Sequence, residues 1–109
     1  MADVVAARPI HLAIVDGVQS ITRGEGPWIG GVRPVEPGVL IAGLNPVSTD
    51  AVSAAVMGYN PRAARGTPPF QTCDNTLLLA EAHGVGSTDL KAIEVRGVSI
   101  EQALYRYDR

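Results

Sequence analysis

An α/β fold is what this 109-residue sequence predicts: a small mixed or parallel sheet of three to four strands with helices packed on it, joined by long Gly/Pro loops. Three observations carry that expectation. Two nearly continuous apolar runs, His11–Val15 and Gly38–Gly43, have the look of strands buried on both faces. The second run is followed by helical segments and then by another strand-like stretch, an order that favours a parallel crossover. The 12 glycines and 8 prolines fall largely between these segments, where they punctuate turns and irregular connections.

The elements follow in order. Asp3 can cap a short helical turn through Val4–Ala7, which Pro9 stops. The first strand, His11–Val15, ends in Asp16-Gly17. No helical period survives from Val18 to Pro37, so this reads as one long loop, with a short strand at Gly31–Arg33. Gly38–Gly43 is the second strand, and Asn45-Pro46 leads from it to a helix opened by Ser48-Thr49-Asp50, with the Asp50 carboxylate at the positive end of the helix dipole. Gly58 is the natural stop of that helix. A second loop runs from Asn60 to Thr72; the next helix opens at Cys73-Asp74-Asn75, continues through Leu77–Ala80 and ends at His83-Gly84. Ile93–Gly97 alternates as a third, amphipathic strand, and Ser99 with Gln102 forms a capping box for a last helix from Ile100 to about Tyr105. The length suits a single domain covering residues 1–109.

Composition excludes several function classes. The net charge is −2 and the nine basic residues are dispersed, so no basic stripe marks a nucleic-acid surface. A single cysteine, Cys73, leaves no intrachain disulfide and no iron–sulfur cluster within this chain. No apolar run approaches the ~18 residues of a membrane span, and Met1-Ala2-Asp3 does not open a signal peptide. As written the chain reads as soluble and cytoplasmic. Its charged fraction is 18%, against about 25% in ordinary soluble domains. Part of the surface is therefore expected to be covered.

A set of short motifs carries a family resemblance. Ile14-Val15-Asp16-Gly17, Gly24-Glu25-Gly26-Pro27-Trp28, Asn45-Pro46-Val47-Ser48-Thr49-Asp50 and Val56-Met57-Gly58-Tyr59-Asn60-Pro61 stand in this order. Cys73-Asp74-Asn75, Gly84-Val85-Gly86 and Ile93–Gly97 continue it. Together they resemble the C-terminal part of the domain-of-unknown-function family DUF362, over about Val5 to Leu104. The resemblance implies a longer parent protein with a preceding region, and some similar proteins carry ferredoxin-type modules or an export signal. Thr76 stands where the resemblance would place a histidine, which argues against a metal site there. The family supplies no activity to carry over.

The candidate ligand residues are Asp16, Gly24, Glu25, Gly26, Asn45, Asp50, Asp74 and Asn75, with Asp16 and Asp50 as metal ligands and Glu25 as a weak acid/base candidate. Were the first two strands parallel, Asp16 and Asn45 would share one sheet edge, and Asp16, Glu25, Asn45 and Asp50 would form an oxygen-rich pocket suited to magnesium or calcium. Against this, Asp16-Gly17 is also a turn signal, and Ser48 and Asp50 are also helix-start residues. The Gly24–Pro27 stretch lacks either phosphate fingerprint and reads as a structural loop. Cys73 is expected to be a buried, inert thiol, and His11, His83, Trp28 and Phe70 to serve structure.

The expectation is thus a small-ligand- or divalent-cation-binding part of a larger protein of uncharacterised activity. Two alternatives stand beside it: an accessory domain of an iron–sulfur redox assembly, and a structural or oligomerisation module. The expected partner is a second copy or the upstream region of a parent protein that is itself open to export; neither nucleic acid nor a membrane span is expected.

Overall fold

The computed structural model describes residues 1–107. Helix α1 spans Ala2–Ala7, followed by strands β1 (Ala13–Gly17), β2 (Ser20–Thr22), β3 (Arg33–Val35) and β4 (Val39–Gly43). Helices α2 (Pro46–Val56) and α3 (Thr76–Ala82), a 3₁₀ turn at Leu90–Ala92 and helix α4 (Ile100–Ala103) complete the chain. The class is mixed α/β, as predicted, but the sheet is not. Two antiparallel two-stranded sheets, β1–β4 and β2–β3, replace the expected three- to four-stranded mixed or parallel sheet.

The two ladders are one kinked hairpin. Ala13 faces Gly43 and Gly17 faces Val39; continuing that register would set Ser20 opposite Glu36, yet Ser20 faces Val35. A one-residue slip therefore separates the ladders, the local disruption that a bulge produces. The Gly38 amide donates to the Val18 carbonyl at 3.3 Å across the slip, and Gly38 has φ +68°, where a side chain would be strained. The segment read as one long loop thus contains two short hairpin arms, β2 and β3, joined by an irregular tip over residues 23–32. Local antiparallel pairing needs no crossover, which is why it prevails over the parallel arrangement. The expected strand at Ile93–Gly97 does not form among the described residues; the chain there is a 3₁₀ turn capped by Asp89 and an irregular segment beside β4.

Helix α2 is the hub. It buries Val47, Thr49, Ala51, Val52 and Val56 and packs on β1, β4, α3 and α4. The rest of the core is Val35, Ala63, Ala80 and Tyr107. Small side chains let α2 approach the strands closely. At Gly43 a Cβ would meet the Thr49 hydroxyl, so this strand end must be glycine for the helix to fold back. Helix stops fall where glycine was expected: Gly58 follows α2 with φ +90° and Gly84 follows α3 with φ +76°. The Ser99–Gln102 capping box also forms, with α4 ending at Ala103 rather than Tyr105. The C-terminal segment returns to the end of α2, where the Tyr105 amide donates to Val56 O and the Tyr107 amide to Met57 O.

Candidate functional site

Two of the expected ligand residues are the fold's clamps. Asn45 caps α2, its Oδ1 accepting from the Ser48 amide at 3.0 Å, and Pro46 occupies the first helical position. That accounts for Asn45-Pro46 preceding the expected cap: the helix starts two residues earlier than Ser48. The other end of the amide is engaged too, Nδ2 donating to Val85 O at 2.7 Å. Ser48 Oγ donates to Ser87 O at 2.9 Å, and a Cβ on Gly86 would run into the Asn45 amide. The Asn45–Thr49 motif and the Val85–Ser87 segment are therefore one hydrogen-bonded seam. Asn75 does the same for α3. Its Oδ1 accepts from Leu77 and Leu78 amides, while Nδ2 donates to Pro61 O at 2.8 Å and Ala63 O at 2.9 Å.

The carboxylates do not gather. Because β1 and β4 are antiparallel, Asp16 sits opposite Leu40, whereas Asn45 follows Gly43, which pairs with Ala13. Three residues of strand separate Asp16 from Ala13, about 10 Å at the usual rise. Glu25 lies farther on, in the exposed tip beyond β2. The expected Asp16–Glu25–Asn45–Asp50 pocket presumed parallel strands, and this register does not assemble it. Among the described residues no group of three or more His, Cys, Asp or Glu side chains is placed to hold a metal ion.

Individually, these residues have local partners. Asp16 Oδ1 accepts from the Val18 amide at 3.0 Å, an Asx turn. Asp50 lies one position beyond the first turn of α2 with its side chain at the surface, yet desolvation by its surroundings raises its carboxyl above the ordinary value. Asp74 pairs with Arg65 at 3.4 Å in the open. Gly24 is exposed and Gly26 buried, the latter under the ring of Trp28. Cys73 is exposed, not buried as expected, because α3 begins after it and leaves it in the loop. Asp3 does not cap α1; its Oδ1 stands 3.0 Å from His83 Nε2.

A polar cluster that the sequence did not reveal joins the loop after α2 to α3. The Glu81 carboxylate accepts from Thr88 Oγ1 at 2.6 Å, from the Thr88 amide, and from Arg62 Nη1 at 2.9 and 3.0 Å. The Thr88 hydroxyl first, then its amide, then the Arg62 guanidinium hold Glu81 down to about 2. Arg62 and Glu81 are separated by nineteen positions in the chain, so no local spacing could have paired them. With Gly84, Gly86, Ser87, Asp89 and Lys91 they line a shallow depression of about 640 Å³.

One uncommitted surface is apolar. Strand alternation directs Ala13, Val15 and Ile41 inward, and leaves Ile14, Leu40 and Ala42 on the outer face. Leu12 and Leu44 extend the same alternation beyond the strand ends. Leu12 is 57% exposed, Ile14 and Leu40 67%, and Leu44 82%. Beside this face, the free edge of β4 borders a groove of about 1050 Å³ whose far wall is residues 92–100 and whose lining includes Val52 and Val56. The chain exposes 7301 Å² in all. A folded monomer of 11.4 kDa is expected to expose about 5,800 Å².

No curated protein and no solved structure matches the chain. A family model described as "Domain of unknown function (DUF362)" matches residues 1–55, which run from α1 through the hairpin and nearly all of α2. The motifs of that half, Ile14–Gly17, Gly24–Trp28 and Asn45–Asp50, include those that suggested the resemblance, and the chain belongs to the DUF362 family.

Proposed function

We propose that this chain is a structural interaction module whose outer sheet face is covered by another polypeptide. The observation that carries the reading is the outer face of β1–β4, where Leu12, Ile14, Leu40, Ala42 and Leu44 stand in solvent on consecutive pleats. An antiparallel sheet with one solvated face alternates apolar-in and polar-out; here the outward positions are apolar except Asp16. Contiguous exposed patches of this kind mark interaction sites in soluble proteins. The 18% charged fraction has the same meaning: the charge is sparse because this face carries almost none. A small-ligand or cation role has less to support it, since the Asn45 amide is consumed by its cap and seam and Asp16 by its turn.

Hydroxyl-radical footprinting of the chain inside the cells that make it tests the reading. Labelling at Ile14, Leu40 and Leu44, each normalised to the urea-unfolded chain, should be strongly suppressed, while Val4 and Trp28 stay near their unfolded reactivity. Equal, high labelling at all five positions would sink the proposal.

A further inference from the structure

We infer that the polypeptide seated on this face is a second copy of the chain, related by a two-fold axis that lies in the interface and crosses the strands at the Ile14–Ala42 row. The inference rests on the docking reading above and goes beyond it by naming the occupant and its orientation. Area is the first argument. The exposed 7301 Å² exceeds the surface of an ordinary monomer of this mass by roughly 1,500 Å². A stable interface of standard size takes about 800 Å² from each partner, so one further copy seated on this face accounts for about half of the excess.

Charge is the second. Leu12, Ile14, Leu40, Ala42 and Leu44 give a partner no sign to complement, and the only charged side chain in these rows is Asp16. A patch of that composition is self-complementary, and an isologous contact requires only that the same patch appear on both sides. Apolar centres depleted of charge are also what homodimer interfaces show.

Asp16 then decides the direction of the axis. The register puts Asp16 beside Leu40 at one end of the face, Ile14 beside Ala42 in the middle, and Leu12 and Leu44 past the other end. An axis running along the strands would bring the two Asp16 carboxylates to the same end, where like charges repel. An axis crossing the strands at the middle row sets each Asp16 over Leu12 of the other copy. It leaves the carboxylates at opposite rims, within reach of water, and Ile14 facing Ile14. Packed sheets stand about 10 Å apart, too far for a disulfide between backbones so placed but within reach of a short bismaleimide.

Sedimentation velocity on the purified chain, from nanomolar to high-micromolar concentration, is the primary test. The wild type should sediment as a dimer, and Leu40→Asp or Leu44→Asp should shift it to a monomer with an unchanged far-ultraviolet spectrum. In a Cys73→Ser background, Ile14→Cys should be cross-linked into a covalent dimer by the bismaleimide and Asp16→Cys should not; this arm needs no charged variant to fold. A monomeric wild type, or a dimer indifferent to both aspartates, overturns the inference. Cross-linking at position 16 and not at 14 overturns the assigned axis. A monomeric chain whose face is nonetheless protected in cells removes the second copy and leaves the docking reading standing, whereas a monomer with a fully labelled face removes both.

Discussion

Asn75→Ala should cost the chain a large part of its stability. Asn75 is 4% exposed and uses both ends of its amide, capping α3 through Leu77 and Leu78 and holding the 61–63 loop through two carbonyls. Losing an asparagine N-cap costs about 1 kcal/mol, within a range of roughly 0.5–2. Each buried carbonyl stripped of its donor adds on the order of 1 kcal/mol or more, unless water enters to replace it. Together the change should reach about 2–4 kcal/mol, which for a domain of this size lowers Tm by roughly 8–16 °C. Asn75→Ser separates the two contributions, because a serine retains a capping acceptor and loses both donations; it should fall between alanine and wild type. Thermal and urea unfolding followed by circular dichroism measure all three. If Asn75→Ala stays within about 0.5 kcal/mol of wild type, the amide is not a clamp, and Asn75 returns to the set of groups free to bind a ligand.

Two further expectations follow from the polar side chains. Glu81 is held at about 2, below its ordinary 4.5. Its contribution to stability is therefore full above pH 4.5 and lost as the pH falls toward 2; Glu81→Gln should flatten the acid limb of the pH–stability curve, and an unchanged limb would refute the Thr88–Arg62 account. Cys73, exposed before α3, should react with an aromatic disulfide reagent in the folded chain at a rate close to that in urea. Slow labelling that accelerates only on unfolding would restore the buried thiol.

The sequence by itself determined the local half of this protein. Helix starts and stops depend on side chains a few positions away, so the Ser99–Gln102 box, the opening of a helix around Cys73–Asn75, the glycine stops at Gly58 and Gly84 and the apolar runs of β1 and β4 could be read directly, whereas Asn75, read as a ligand residue, proved to be the cap. Asn45-Pro46 was visible as a motif, but its meaning depended on Val85, forty positions away. Only the tertiary structure decided strand direction, since an apolar run has the same composition whether its partner runs parallel or antiparallel. That one choice moved Asp16 away from Asn45, left the expected pocket unassembled, and set the short paired strands β2 and β3 within the supposed loop from Val18 to Pro37. It also decided which face of the strands stays open. His11–Val15 looked buried on both sides because hydrophobicity reports a demand for cover; the fold meets that demand on one side with α2 and leaves Ile14, Leu40 and Leu44 in water.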